Sequence, residues 1–363
     1  MPLLARSTTA GPRRRAFVLA LLLLPPLFLI LLHRTSSPSL RPLPAPRKPS
    51  SRSQSCDYSA GEWVRDPLAG SSLRYDNTCK EIFKGWNCIA NGKPNARDLL
   101  SWRWRPVGPG CELPRLDPRR FLEHLRDTSI GFVGDSLNRN MFASLVCMLR
   151  GVSGEVRKWR PAEADRGFTF LRYNLTVAYH RTNLLVHYGR WSANPNGGTL
   201  ESLGYKHGYR VDVDIPDQTW VEACSFHDVL IFNTGHWWWA PSKFDPIRSP
   251  MLFFEKGRPI VPPLLPPAGL DLALQNMVEE IFSLDNNSTN VEARLVNQHL
   301  VKALEQQSSF RVLDITRMSE FRADAHPSTT GGKKHDDCMH WCLPGPTDTW
   351  NDLLASSLEV VES

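Results

Sequence analysis

No acidic residue occurs in the first 55 positions, which hold nine basic ones: Arg6, Arg13, Arg14, Arg15, Arg34, Arg41, Arg47, Lys48 and Arg52. The whole chain carries a formal charge of +6 over 363 residues. Without that segment, 34 Lys and Arg face 37 Asp and Glu, a balance of −3. The globular part therefore lacks the basic surplus of a nucleic-acid binder, and no nucleic-acid partner is expected. Other absences narrow the field. There is no internal repeat, which sets aside solenoids and propellers. No second cysteine pair stands near Cys338, His340 and Cys342, so a structural zinc site is not expected, nor any other metal. No small-x-small cleavage site follows Leu32. No nucleotide-binding motif identifies a bound cofactor.

What is present begins with an N-terminal tail whose features follow a recognisable sequence. Arg13-Arg14-Arg15 precedes an apolar run, 16–32, broken only by Pro25-Pro26. Seventeen residues lie at the short limit for spanning a bilayer and exceed the usual core of a signal peptide. The basic cluster holds its own side in the cytoplasm. An uncleaved type II signal anchor is the favoured reading and a cleaved signal peptide the alternative. Either delivers the remainder to an oxidising lumen. The expected organisation is a cytoplasmic basic tail (1–15), an anchor (16–32) and a Pro/Ser-rich stem (33–55). A Cys-rich cap (56–117) and a catalytic domain (118–363) then pack as one lumenal unit. Eight cysteines suit that compartment. So do sequons at Asn174, Asn286 and Asn287, although such tripeptides are common by chance.

Apolar content of 41% with 12 tryptophans supplies a core and aromatic surface to spare. The pattern predicts strands at 129–133, 175–180, 184–187, 228–233 and 311–315, and helices at 137–149, 270–284, 291–307 and 349–359. Residues 261–267, rich in proline, read as a rigid surface loop. Alternating strands and helices argue for α/β architecture with a mainly parallel sheet, whose ligands bind beyond the carboxyl ends of the strands.

Two distant stretches read as halves of one active site. The apolar run 129–133 ends in Gly134-Asp135-Ser136, and a helical period follows. Ser136 thus falls on a sharp strand-to-helix turn. Asp337-Cys338-Met339-His340 sets a carboxylate and an imidazole three residues apart, within reach of each other on one turn. A serine needs a base, and the base needs a group to fix its tautomer. The bland alternative for Ser136 is a helix N-cap. Donors for a developing oxyanion are expected among the backbone N–H groups of Ser136 and Leu137 and the side chains of Asn138, Arg139 and Asn233. Following Asn233, His236, Trp237 and Trp238 are candidates for holding an acceptor, although consecutive tryptophans cannot all face one way.

Longer motifs sharpen the reading. Phe132-Val-Gly-Asp-Ser-Leu-Asn-Arg-Asn140 and Asp337-Cys-Met-His-Trp-Cys-Leu-Pro-Gly345 with Asp348-Thr-Trp350 resemble the two defining motifs of the plant trichome birefringence-like family. So do Gly61-Glu-Trp-Val64, Asn87-Cys88, Trp102-Arg-Trp104, Asn233-Thr-Gly-His-Trp-Trp238 and Ala323-Asp-Ala-His-Pro-Ser328. The resemblance implies a GDSL/SGNH-esterase-like three-layer fold and a Golgi enzyme that O-acetylates a cell-wall polysaccharide. Xylan is the leading acceptor, with mannan, xyloglucan and pectin served by other branches. It casts Ser136 as the acylated nucleophile, His340 as base and Asp337 as its orienter. Acetyl-CoA or another acetyl donor would be a co-substrate. The implied bridges are Cys56–Cys111, Cys79–Cys147 and Cys88–Cys342. In one place the chain departs from the pattern. A segment expected after the 270–284 helix, with the cysteine that ordinarily pairs with position 338, is missing, which leaves Cys224 as a candidate partner of Cys338. An esterase that removes acetyl groups, or a non-catalytic polysaccharide-binding protein, are the alternative functions.

Overall fold

Ser129 to Gly134 is buried along its whole length, as a central parallel strand covered on both faces must be. Around it the computed structural model describes residues 56–66, 74–278, 312–327 and 337–361. These belong to one compact unit, Gln54–Ser363. In chain order the strands are β1 Gly61–Arg65, β2 Trp102–Pro106, β3 Ser129–Gly134, β4 Val156–Trp159, β5 Arg166–Phe170, β6 Leu175–Arg181, β7 Val186–Ser192, β8 His207–Pro216, β9 Val229–Phe232, β10 Met251–Glu255 and β11 Arg258–Pro259. Helices are α1 Pro118–His124, α2 Ser136–Arg150, the single turns α3 Thr199–Ser202, α4 Gln218–Val221 and α5 Ala223–Phe226, then α6 Pro266–Val278, α7 Thr316–Glu320 and α8 Thr347–Val361.

The protein is a mixed α/β fold. One sheet has the order β4-β5-β6-β3-β9 and a second β11-β10-β8-β7, while β1 and β2 form a hairpin in the cap. Parallel pairing is concentrated at β6-β3-β9 and at β8-β10. The edges are antiparallel, at β4-β5-β6, β7-β8 and β10-β11. The expected parallel sheet thus describes the strands that lead to the candidate site, and hairpins extend it outward.

Helix α2 is buried on nearly every side from Asn138 to Leu149, and its buried polar residues Asn138, Asn140 and Ser144 are all hydrogen-bonded. It packs between β3, β6 and α8. The first core joins it to the cap through Tyr75, Trp86 and Trp104, to β5 through Phe168 and Phe170, and to α8 through Trp350 and Leu354. A second core gathers Val211, Trp238, Phe244, Phe253 and Leu270 around the smaller sheet.

Three disulfides, Cys56–Cys111, Cys79–Cys147 and Cys88–Cys342, tie the cap to itself, to α2 and to the chain before α8. They are the pairings implied by the resemblance. Cys224 and Cys338 do not form a fourth. Cys224 sits on α5, which leads into the amino end of β9, whereas Cys338 lies on the His340 turn. That turn meets the first turns of α2, beyond the carboxyl end of the neighbouring parallel strand β3.

Several expected elements are corrected. Residues 312–315 are not a strand. Asp314 accepts from both the N–H and hydroxyl of Thr316 and turns the chain into α7. The strand expected at 184–187 begins only at Val186, after Leu185 adopts a positive φ. Pro266 and Pro267 open α6 rather than ending a loop, since proline tolerates the first helical positions. The helix at 291–307, the residues before Cys56, the altered stretch after Leu284, and Asn286 and Asn287 lie outside the described residues. No helix among the described residues is long and apolar enough to cross a membrane. Asn174 is exposed, and its amide donates to Asp127.

Candidate active site

The turn at Ser136 is built by its neighbours. A Cβ at Gly134 would stand 2.5 Å from the Asn233 carbonyl oxygen, so only glycine lets β3 and the β9 loop approach this closely. Asp135, fully buried, is the helix N-cap, and Ser136 is the first helical residue. The N-cap reading of Ser136 therefore gives way to Asp135. The half-buried serine stands at the positive end of a 15-residue helix.

Asp135 is the hub of this turn. Its carboxylate accepts the Leu137 N–H at 2.9 Å. His236 Nδ1 lies 3.1 Å away. The Asn233 amide, assigned with its nitrogen toward Asp135, donates at 2.7 Å. Tyr179 donates its hydroxyl to the Asp135 carbonyl at 2.9 Å. Burial, with the Asp135 charge nearby, pushes the Tyr179 phenol well above its ordinary value. Three expectations change here. The Leu137 N–H is taken up by its own cap. Asn138 is buried, with its amide donating to the Val133 and Ile231 carbonyls, so it braces β3 against β9. The Asn233 amide is likewise spent on Asp135, while His236 Nδ1 faces the same carboxylate without completing a hydrogen bond to it.

The second half is a tight pair. His340 Nδ1 lies 2.9 Å from Asp337 Oδ2 and 3.0 Å from Oδ1, and the His340 N–H donates to the same carboxylate. Burial opposes ionisation of Asp337. The hydrogen bonds from His340 and the Met339 N–H outweigh it and hold the carboxyl well below the usual range. Such a carboxylate fixes the proton of the ring on Nδ1 and leaves Nε2 as the basic nitrogen. That Nε2 is buried and has no hydrogen-bond partner among the described residues. Hydrogen bonds of this kind in unliganded sites often form only with substrate.

The two halves meet through residues one turn along α2. Asn140 makes a reciprocal pair with the Trp341 backbone, at 3.2 and 3.3 Å. Arg139 places its guanidinium 5.5 Å from the rings of both Phe83 and Trp86, and Trp86 packs at 4.9 Å on His340. His326 donates from Nδ1 to the His340 carbonyl at 2.7 Å and stacks on Trp341 at 4.0 Å. The Cys88–Cys342 bridge fixes the same loop to the cap. Sequence reasoning gave no role to Asp135, Trp86 or Asn140, although Asp135 and Asn140 lie inside the motif that located Ser136.

The tryptophan run divides as packing demands. Trp238 is fully buried, stacked on Phe253 and bonded through Nε1 to Thr234, so it is a core residue and not an acceptor platform. Trp237 is half-buried against His236 and the Lys243 ammonium. No group of three or more metal-ligating side chains occurs among the described residues.

Comparison with known proteins agrees with this architecture. Residues 113–299 and 279–357 match the PC-Esterase family, described as a GDSL/SGNH-like acyl-esterase family found in Pmr5 and Cas1p. Residues 54–112 match the PMR5 N-terminal domain. The chain is 58% identical to trichome birefringence-like 13 of Arabidopsis thaliana over 86% of each chain. It is 41% identical to trichome birefringence-like 12 of the same plant, over 83% of this chain and 84% of the relative. Against xyloglucan O-acetyltransferase 1 of Arabidopsis thaliana it is 28% identical, over 84% of this chain and 80% of the relative. The chain belongs to the trichome birefringence-like family, with an acyl-esterase-type domain following its PMR5-type N-terminal domain.

Proposed function

We propose that this protein is a polysaccharide O-acetyltransferase that works through an acetylated Ser136. The observation that carries the reading is the Asp337–His340 pair, whose unpartnered Nε2 sits on a loop bonded to the helix that Ser136 begins. In the first step Ser136 Oγ attacks the acetyl carbonyl while its proton passes to His340 Nε2. The donor's leaving group departs with that proton. In the second, an acceptor hydroxyl gives its proton to His340 and attacks the acetyl-serine, and Ser136 Oγ takes the proton back. Asp337 steadies the imidazolium in both steps. The Ser136 N–H and the α2 dipole face the developing oxyanion.

The acceptor in this reading is a plant cell-wall polysaccharide, xylan first, with mannan or pectin next. The donor is acetyl-CoA or another acetyl carrier. Relatives named as xyloglucan O-acetyltransferases support the reaction class. The basic tail and apolar run support a Golgi type II membrane protein with its catalytic part in the lumen, and the disulfides support that compartment. The family's description as acyl-esterases favours one second reading, hydrolysis of acetyl esters by the same residues with water as acceptor. The test is to mix the full chain with labelled acetyl donor and xylan. Transfer of label to the glycan, lost in Ser136→Ala, is expected. Release of acetate from acetylated xylan without any transfer would favour the esterase. Neither reaction, in a folded protein offered several glycans, would overturn both.

A further inference from the structure

The end of the sheet that holds Ser136 carries a row of arginines. Gly134 at the end of β3 pairs with Arg181 on β6. Tyr179, two residues earlier, pairs with Arg166 at the start of β5. Gly167 pairs in turn with Trp159 on β4, just before Arg160. Adjacent strands lie about 4.8 Å apart, so the cations step outward from the serine one strand at a time. Arg139 on α2 joins the row near its inner end. Burial and the like charges of Arg166 and Arg181 lower its affinity for a proton.

These charges are poorly balanced. Arg139 and Arg181 make no ion pair among the described residues. The buried Glu81 carboxylate is shared by Arg150, Lys158 and Arg166 at 3.2–3.7 Å. Asp165 adds one more acid, 3.8 Å from Arg166. The globular part as a whole is slightly acidic, so this excess is local. At its outer end lies a depression of about 240 Å³ lined by Lys158, Trp159, Arg160, Asp165 and Arg166. The half-buried Trp159 there packs against Phe226 at 5.9 Å and holds the exposed Arg157 guanidinium 4.8 Å from its ring, which adds another cation beside the depression.

We propose that Arg139, Arg181 and Arg166, continued by Lys158 and Arg160 around Trp159, form a binding strip for the carboxylates of an acidic polysaccharide acceptor. The inference rests on Ser136 as the acetyl-transfer centre and reorders the acceptors named above, placing pectin, or a xylan that carries uronic acid side groups, ahead of a neutral xylan or mannan. Guanidinium groups suit carboxylates through paired N–H donors. A single cluster of cations would suit a compact pyrophosphate. A row spaced strand by strand fits charges repeated along a chain, because one strand spacing is close to the length of one sugar ring.

Binding can be measured apart from acetyl transfer. The full chain is titrated with equal-length oligomers of galacturonic acid and of xylose. The acidic oligomer is expected to bind about tenfold more tightly. That advantage shrinks several-fold between about 50 and 500 mM NaCl. Arg181→Gln and Arg160→Gln, both at exposed sites, each remove much of the preference, leave xylose-oligomer binding unchanged and keep the wild-type melting temperature. Ser136→Ala keeps the preference. Equal affinity for the two oligomers, or arginine variants that weaken both alike, would overturn the proposal. So would variants that raise KM for the acetyl donor alone, which would assign the strip to donor phosphates. An acidic preference in a chain that never acetylates Ser136 would uphold the strip and sink the transferase reading.

Discussion

The two cores are held together differently. The first, around α2, is tied by Cys79–Cys147 and Cys88–Cys342 and by a buried polar network. Buried Asp348 accepts from the Tyr75 and Ser144 hydroxyls and the Gly345 N–H. Asp352 pairs with Arg74 and accepts the Leu116 N–H. The amide of Asn351 reaches the Met141 carbonyl and Ser144. The second core contains none of these bridges and rests on aromatic packing of Trp238, Phe253, Phe244, Tyr188 and Tyr209. Covalent and polar ties gather where two segments some two hundred residues apart must be held in register, Ser136 on α2 and His340 before α8. The second core has only to hold up the loop that carries His236 and Trp237. A bridge spanning 254 residues removes about 5 kcal/mol of chain entropy from the unfolded state in the loop-closure account.

If the ties of the first core serve catalysis, breaking them should cost activity in graded fashion. The largest effect is expected at the chemistry itself. Ser136→Ala and His340→Ala should each lower acetyl turnover by about 10⁴-fold, and the double variant little further, because the two act as a unit. Thermal melting should stay unchanged, which steady-state kinetics with calorimetry will check. Joint replacement of Cys88 and Cys342 by serine is expected to destabilise the protein by about 4 kcal/mol. Denaturant unfolding measures this, and activity should fall at denaturant concentrations that leave the Trp238 environment native. An equal loss in both regions would dissolve the contrast between the cores. Asp348→Ala should cost about 3 kcal/mol by stranding three buried donors, whereas Trp237→Ala should mainly raise the acceptor KM a few-fold.

The smallest effects concern pH, and two groups oppose each other. Burial raises Asp348 to about 6, against the attraction of Arg74 and the hydrogen bonds of Ser144 and Tyr75. The native state then holds its proton where the unfolded state does not, so this group favours folding as pH falls from 6 toward 4. His227 is held to about 3 by burial and by His180, whose Nε2 lies 2.9 Å from its own. Its neutral form is favoured in the fold, so this group costs stability as pH falls from 6.5 toward 3. The two nearly cancel at pH 5, within about 1 kcal/mol. Replacing Asp348 by asparagine should steepen the acid loss seen in melting temperature, and His227→Gln should flatten it.

Sequence pattern located β3, β6, β9, α2 and α8 because their apolar positions are continuous or recur at helical spacing, β3 and β9 being packed between both cores. It passed over β8, although Val211, Val213 and Ile215 alternate there with Arg210, Asp212 and Asp214, and Arg210 pairs with the buried Asp212. It also missed β4, two of whose four residues are charged, and β5, only two of whose five residues are large and apolar. The strand-to-helix turn at Ser136 and the contact of Asp337 with His340 were legible from spacing, since strand–turn–helix and a three-residue step are local geometry. The roles of Asp135, Asn138 and His236 were not. Each is set by a partner on another strand, and linear spacing carries no record of which carbonyl or carboxylate it will meet.

The acetyl-serine can be sought by peptide-level mass spectrometry of the full chain, quenched soon after mixing with acetyl donor. One acetyl group is expected on the peptide carrying Ser136, absent from His340→Ala and discharged when acceptor glycan is added. Acetyl found only on another residue, or a chain that transfers acetyl to glycan without ever carrying it, would contradict the proposed mechanism.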